Sequence, residues 1–402
     1  GLADANVAVV VERRRTVSAP DVRAVAAPDM RAVSASDVRA VAAALASLPM
    51  VGPKRLRVLV NELGVEQAWR TIRGECSPSP RLAALLAEHD MGRAWRAAAT
   101  DDLVQRVAES LAEHEVAVWL ASDAEYPEVL RSDPAAPAVL FARGNPTALQ
   151  QRRVGVVGTR AASAAGRFFA RRLSRDVAVG GVAVVSGLAR GIDAAAHLGA
   201  LEAAAAPPIA VVASGLDVVY PREHAGLWRD VARHGLLLSE SPPGCAPDAF
   251  RFPLRNRILA ALSEVLVVVE SREVGGSMIT VDEALKRGVT VMAVPGAPMS
   301  TTSKGTNHLL SQGAAPVRDA TDVLVALGLD HQRRDALGDN RVTPSADDRV
   351  VLELLARQPS TFDQLVHRSR LPIQEVAVRL GRLEAHGWVT ANAGWWEALV
   401  AP

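Results

Sequence analysis

From residue 152 onward the chain alternates short apolar runs, rich in β-branched residues, with amphipathic stretches, and few folds accept that pattern. The runs fall at 154–157, 182–186, 209–213, 236–239, 265–269 and 289–294. Between them lie helical spacings, such as Met278, Val281 and Leu285 at i, i+3 and i+7. Strands that are apolar on both faces and separated by helices belong in a parallel sheet covered on both sides. The expectation is a doubly wound α/β domain over residues 126–329.

The flanks carry different textures. Residues 1–42 contain an eight-residue repeat, seen in Asp21-Val-Arg-Ala-Val25, Asp29-Met-Arg-Ala-Val33 and Asp37-Val-Arg-Ala-Val41. Eight residues are too few for a helical solenoid unit, so this reads as a low-complexity extension, disordered or loosely helical. Residues 43–125 read as helical. Within them, Leu48-Pro-Met-Val-Gly52-Pro-Lys54 forms the turn of a helix-hairpin-helix. Such a turn either offers backbone N–H groups to a phosphate or merely reverses the chain. Prolines 127, 134, 137 and 146 mark a loop-rich connector, and the polar stretch 330–345 suits a linker. Residues 346–402 show three helical patterns, the second opening on the capping-box arrangement Thr361-Phe-Asp-Gln364. A hairpin follows around Asn392-Ala-Gly394, and the whole reads as a winged helix.

With 45 basic and 44 acidic residues the formal charge is +1, which excludes a generally polycationic nucleic-acid protein. Any DNA site has to be a local cluster. Cys76 and Cys245 lie far apart, with no neighbours at metal-ligand spacing, so neither a metal nor a bound cofactor is expected. No apolar run is long enough for a bilayer, and no signal core with a cleavage pattern opens the chain; a cytoplasmic protein without membrane contact is expected.

In open α/β sheets ligands bind beyond the carboxyl ends of the strands. Those loops are rich in Gly, Ser and Arg. The 154–157 run leads into Gly158-Thr159-Arg160, with Ser163 and Gly166 following; the 182–186 run leads into Ser186, Gly187, Arg190, Gly191 and Asp193. Glycine lets backbone amides approach an anion, hydroxyls donate to it, and arginine presents a planar fork, so these loops describe a phosphate cradle. The glycine spacing fits neither a dinucleotide fingerprint nor a P-loop. Phe252, Arg255, Asn256 and Arg257 combine an aromatic with two cations, as single-strand binders do. Equally, Phe252 could pack in the core while the arginines pair with Glu240 or Glu270. Gly276 and Ser277 open a further helix with an anion-friendly N-terminus. No spacing pairs a nucleophile with a base, so no catalytic residues are expected. His197 reads as structural, and Asp193 as a first-turn acid that favours the helix dipole.

Taken in order, these loops resemble the DNA-processing protein A (DprA/Smf) family. The matching stretches are Val-Val-Gly-Thr-Arg at 156–160, Val-Val-Ser-Gly-Leu-Ala-Arg-Gly-Ile-Asp-x-x-x-His at 184–197 and Ser-Gly-Leu-Asp-x-x-Tyr-Pro at 214–221. Leu-Ser-Glu-x-Pro-Pro-Gly at 238–244, Phe-Pro-x-Arg-Asn-Arg at 252–257 and Val-Val-Glu-x-x-x-x-x-Gly-Ser-x-Ile-Thr at 268–280 follow, then Val-Pro-Gly at 294–296 and Gly-Thr-Asn-x-Leu at 305–309. The resemblance implies an extended Rossmann-like domain that binds single-stranded DNA without sequence preference and forms a homodimer. It also implies transfer of the strand to the RecA recombinase, with displacement of single-strand-binding protein, in natural transformation or recombination. A helical domain of sterile-alpha-motif type and a winged helix complete the family's plan. Carried onto this sequence, the DNA pocket comprises Gly158, Thr159, Arg160, Ser186, Gly187, Arg190, Gly191, Phe252, Arg255, Asn256 and Arg257. Thr159 replaces the family's usual serine and keeps the hydroxyl. The octad repeat has no counterpart there. On the third winged-helix helix, Arg379 and Arg382 are interleaved with Glu375 and Glu384, which favours protein contact at least as much as DNA. Two rival readings are a nucleotide-processing enzyme of the lysine-decarboxylase-like Rossmann group, whose Pro-Gly-Gly-x-Gly-Thr-x-x-Glu stretch is not matched at Val294-Pro-Gly296, and a recombination scaffold acting through its flanking domains.

Overall fold

The computed structural model describes residues 35–203, 205–329, 341–392 and 394–399. The first two octad units and most of the 330–345 linker lie outside the described residues, while the third unit falls within the helix Ala35–Ala46.

The centre is a sheet of nine strands: β1 (Ala117–Leu120), β2 (Val139–Gly144), β3 (Arg152–Val157), β4 (Val182–Ser186), β5 (Ile209–Val212), β6 (Leu236–Ser239), β7 (Val265–Val268), β8 (Thr290–Ala293) and β9 (Ala315–Pro316). Their spatial order is β1-β2-β6-β5-β4-β3-β7-β8-β9. Strands β3 to β9 pair in parallel, whereas β2 runs antiparallel to both β6 and β1. The parallel part of the sheet starts at β3, winds outward to β6, then returns to lay β7 against the other side of β3. The topological switch point, where open sheets of this kind bind ligands, is therefore between β3 and β7.

Successive side chains of each strand enter opposite cores. Val154, Val156, Val182, Val184, Val265 and Val267 pack under the helices Ala164–Val179 and Ile192–Ala203. Val157, Val185, Leu266 and Val268 pack on the other face against the helix Arg251–Leu262. Both faces are dry, which explains the near-continuous apolar runs.

The stretch read from sequence as helix and connector contains β1 and β2. Each is a short apolar run beside helical or proline-rich sequence, where periodicity cannot separate strand from helix. The helices before β1 share one core with it: Leu45, Leu59, Trp69 and Trp95 cluster with Val118, Val139 and Phe141. The helix-hairpin-helix turn joins Ala35–Ala46 to Gly52–Arg73, and the Trp95 indole N–H donates to the Pro49 carbonyl at 2.8 Å.

At the other end, the helices Ala346–Arg357, Phe362–Ser369 and Ile373–Ala385 support β11 (Val389–Asn392) and β12 (Trp395–Ala398), with β10 (Ser360–Thr361) pairing to β12. This is a winged helix. Thr361 and Gln364 form the expected capping box. Among the described residues no helix is long and apolar enough to cross a membrane.

Candidate nucleic-acid interface

Outside the carboxyl ends of β3, β4 and β7 lies an open cleft of about 470 Å³. Four chain segments wall it: the loop after β3, Ala189 and Asp193 after β4, the start of the Arg251–Leu262 helix, and the loop after β7 leading into the helix Gly276–Leu285. Of the residues expected to bind, Gly158, Thr159, Arg160, Phe252, Arg255, Asn256, Gly276 and Ser277 line it.

Arg160 and Phe252 form its working edge. The Arg160 guanidinium lies over the Phe252 ring, 4.6 Å from the centroid, and Tyr220 tilts against the same ring at 5.7 Å. Arg160 is exposed and has no ion pair among the described residues, so its charge faces solvent from an aromatic platform. On the loop after β7, Arg272 also lines the cleft and is likewise exposed and without an ion pair among the described residues. Val274 beside it is 87% exposed. Sequence reasoning missed both. Their signal was position, because they follow β7 at the switch point.

Arg255 works differently. Only 7% exposed, it donates to the Gly187 carbonyl at 2.8 Å, to the Val211 carbonyl, and through Nε to Asn256 Oδ1 at 3.2 Å. A Cβ on Gly187 would stand 2.5 Å from this guanidinium, so glycine there admits the arginine. Burial pushes Arg255 down to about 10, with nearby Asp193 acting in the opposite sense. Burial also raises the Asp193 carboxyl above the ordinary carboxylate range, while Arg255 and Arg160 draw it back. Arg255 and Asp193 are thus buried ionisable neighbours on the cleft lining. Asn256 is committed too, donating to the Gly276 carbonyl at 3.2 Å, and Ser277 shares a 2.8 Å hydrogen bond with Ser271.

Five expected residues are not cleft-lining. The Ser186 hydroxyl is buried and donates to the Val156 carbonyl at 2.6 Å, tying β4 to β3. Arg190 is paired with Glu223 at the surface. Arg257 is held by Glu240 at 2.5 Å and by the Ala135 carbonyl. Gly187 and Gly191 act as backbone supports. Gly191 has φ +79° and packs on the Thr159 and Arg160 carbonyls, where a Cβ would come within 2.3 Å.

The phosphate cradle expected at the N-terminus of the Ala164–Val179 helix is already filled. Glu270, at the end of β7, accepts from the Ser163 N–H at 2.9 Å and from its hydroxyl at 2.6 Å, and Ser163 in turn accepts from the Gly166 N–H. An internal carboxylate occupies the place where a dinucleotide's pyrophosphate would sit. The cleft therefore offers its cations from the rim and not from that helix end.

Beneath the site, His197 is fully buried, and burial pushes its imidazole down to about 3. The unfolded chain takes up this proton near pH 6.5. Between the two values the unfolded state binds more protons, so stability present at neutral pH is lost as pH falls. From about pH 7.5 to 4.5 this group should cost about 3 kcal/mol. Urea unfolding at both pH values should find His197→Leu less acid-sensitive by that amount; equal sensitivity would refute the assignment.

Comparison with known proteins gives a consistent neighbourhood. The family described as DNA recombination-mediator protein A matches residues 117–328, and the DprA winged helix domain matches 338–394. The DNA processing protein DprA of Bacillus subtilis is 41% identical over 207 residues, covering 51% of this chain and 69% of its own. Protein Smf of Escherichia coli is 37% identical over 284 residues, covering 68% and 75%. The X-ray structure of DNA processing protein A from Streptococcus pneumoniae has a TM-score of 0.58 at 30% identity, covering 72% of this chain and 97% of that one.

Proposed function

This chain belongs to the DNA recombination-mediator protein A (DprA/Smf) family, and on that premise we propose that its cleft binds single-stranded DNA without regard to sequence. The observation that carries the reading is Arg160 stacked on Phe252, with Arg272 lining the same cleft. Guanidinium groups neutralise phosphates, and an aromatic face accepts any base that is not already paired. A side-chain amide could read base edges, but Asn256 is spent on Arg255 and Gly276. Contacts to phosphates and to a ring face carry no base identity, and this supports sequence independence.

The protein acts by binding, with no turnover. Glu270 supports this against a nucleotide-processing enzyme, because it blocks the helix end on which a nucleotide's phosphates would rest. Transfer of the strand to RecA recombinase, displacement of single-strand-binding protein and action as a homodimer complete the proposal, on the strength of family membership. The winged helix suits protein contact: Arg379 is held by Glu375 at 2.7 Å and Arg382 by Asp348 at 2.8 Å, leaving its third helix little charge for phosphates.

The test is an anisotropy titration of labelled oligothymidylate, with a duplex of mixed sequence as comparison, against the parent chain and Phe252→Ala. The parent should prefer the single strand. Phe252→Ala should lose about 1–3 kcal/mol for each base that stacks on the ring. Equal affinity for duplex, or parent-like binding by the variant, would sink the proposal.

A further inference from the structure

Beside the main cleft lies a second one of about 430 Å³, lined by Arg272, Glu273, Val274, Thr301 and Lys304. Arg272 and Val274 belong to both. The loops that carry the second cleft are fastened together: the Gly305 N–H donates to the Ser271 carbonyl at 2.8 Å, and a Cβ on Gly305 would meet the Arg272 carbonyl at 2.4 Å. Lys304 is therefore held next to Arg272 by backbone, not by a chance side-chain posture. Both cations are exposed and have no ion pair among the described residues, although Glu273 on the same wall opposes them. Val274, the exposed apolar lip, stands between the two clefts.

We infer that a single strand held in the Phe252 cleft continues over Val274 and places a later phosphate between Arg272 and Lys304. This rests on the proposed function and deepens it by giving the strand a direction across the sheet edge, from β3 past β7 towards β8. Arg272 serves the phosphates on both sides of the lip, and Lys304 serves only the outer one. The Thr301 hydroxyl is a further donor there. Glu273 weakens the outer subsite, which keeps it subordinate to the inner cleft.

The experiment is a length series of oligothymidylates, titrated at several salt concentrations against the parent, Lys304→Ala, Lys304→Arg and Glu273→Gln. These positions are exposed, so the fold tolerates the changes. The parent's affinity should rise with length as the strand reaches the second cleft. The Lys304→Ala deficit should grow with length, and on long strands its log–log salt slope should be shallower by about 0.7, the signature of one lost phosphate contact. Lys304→Arg should restore the slope, and Glu273→Gln should tighten binding of long strands. Parent-like behaviour of Lys304→Ala at every length, with the parent still binding tightly, overturns the outer subsite alone. Absence of single-strand binding by the parent overturns the proposed function and the subsite together.

Discussion

A chain carrying Arg160→Glu and Arg272→Glu together should lose single-strand binding at physiological salt while unfolding like the parent. The two arginines line the same cleft from the neighbouring loops after β3 and β7, are exposed, and have no ion pair among the described residues. Each phosphate contact to a single strand contributes about 0.7 to the slope of log affinity against log salt. Loss of both should flatten that slope by about 1.4, and the introduced carboxylates add repulsion that deepens the loss at low salt. The effect should be the same for every base composition, because phosphates carry no sequence. A variant with parent-like affinity and slope would show that the strand does not pass between these arginines. Arg255 and Arg257 are poor choices for such a test. Both are tied to internal acceptors, so reversing them would confuse lost contacts with lost structure.

How far the sequence revealed this arrangement depended on distance along the chain. The parallel strands were legible because residues such as Val154 and Val157 belong to opposite cores, and both cores are apolar. Their loops were legible because strand ends dictate where ligands meet an open sheet. Arg160 and Phe252 follow from that rule, although nothing local reveals that their side chains stack. The strands β1 and β2 were hidden, since a four-residue apolar run has too little periodicity to declare itself.

Within the cleft, sequence could not sort exposed, unpaired arginines from structurally committed ones. Arg255 and Arg257 stand two residues apart on one helix, so they point about 200° apart around it. One meets the ends of β4 and β5, and the other meets Glu240. The reading that paired these arginines with acids was half of the truth, and it fitted Arg257. Glu270 illustrates the same limit. Its carboxylate caps a helix 107 residues earlier in the chain, a partnership set by the β3–β7 pairing and not by any local motif.

Replacing Arg255 with methionine should destabilise the protein by about 3–5 kcal/mol, the cost of removing one member of a buried charged set. Two consequences add. The Gly187 and Val211 carbonyls lose their donor, and a buried unsatisfied carbonyl costs about 1–3 kcal/mol. Asp193 also loses the cation that offsets its burial, so its carboxyl rises further and binds a proton more readily. Lysine should rescue only in part: both carbonyls accept from the one Nη1 of Arg255, which an ammonium can imitate, but the Nε–H donated to Asn256 is lost. Asp193→Asn separates the two contributions. If the stranded carboxylate matters, Arg255→Met should cost less in the Asp193→Asn background, by a coupling of about 0.5–3 kcal/mol. Urea unfolding of the four chains in the cycle measures this directly. Additive costs would place the whole loss on the carbonyls, and a parent-like midpoint for Arg255→Met would show that the buried guanidinium does not support the fold. The cleft rim should then be assayed in the same chains, since Arg255 holds Gly187 at the start of the loop after β4, and Gly191 in that loop packs on the Arg160 carbonyl.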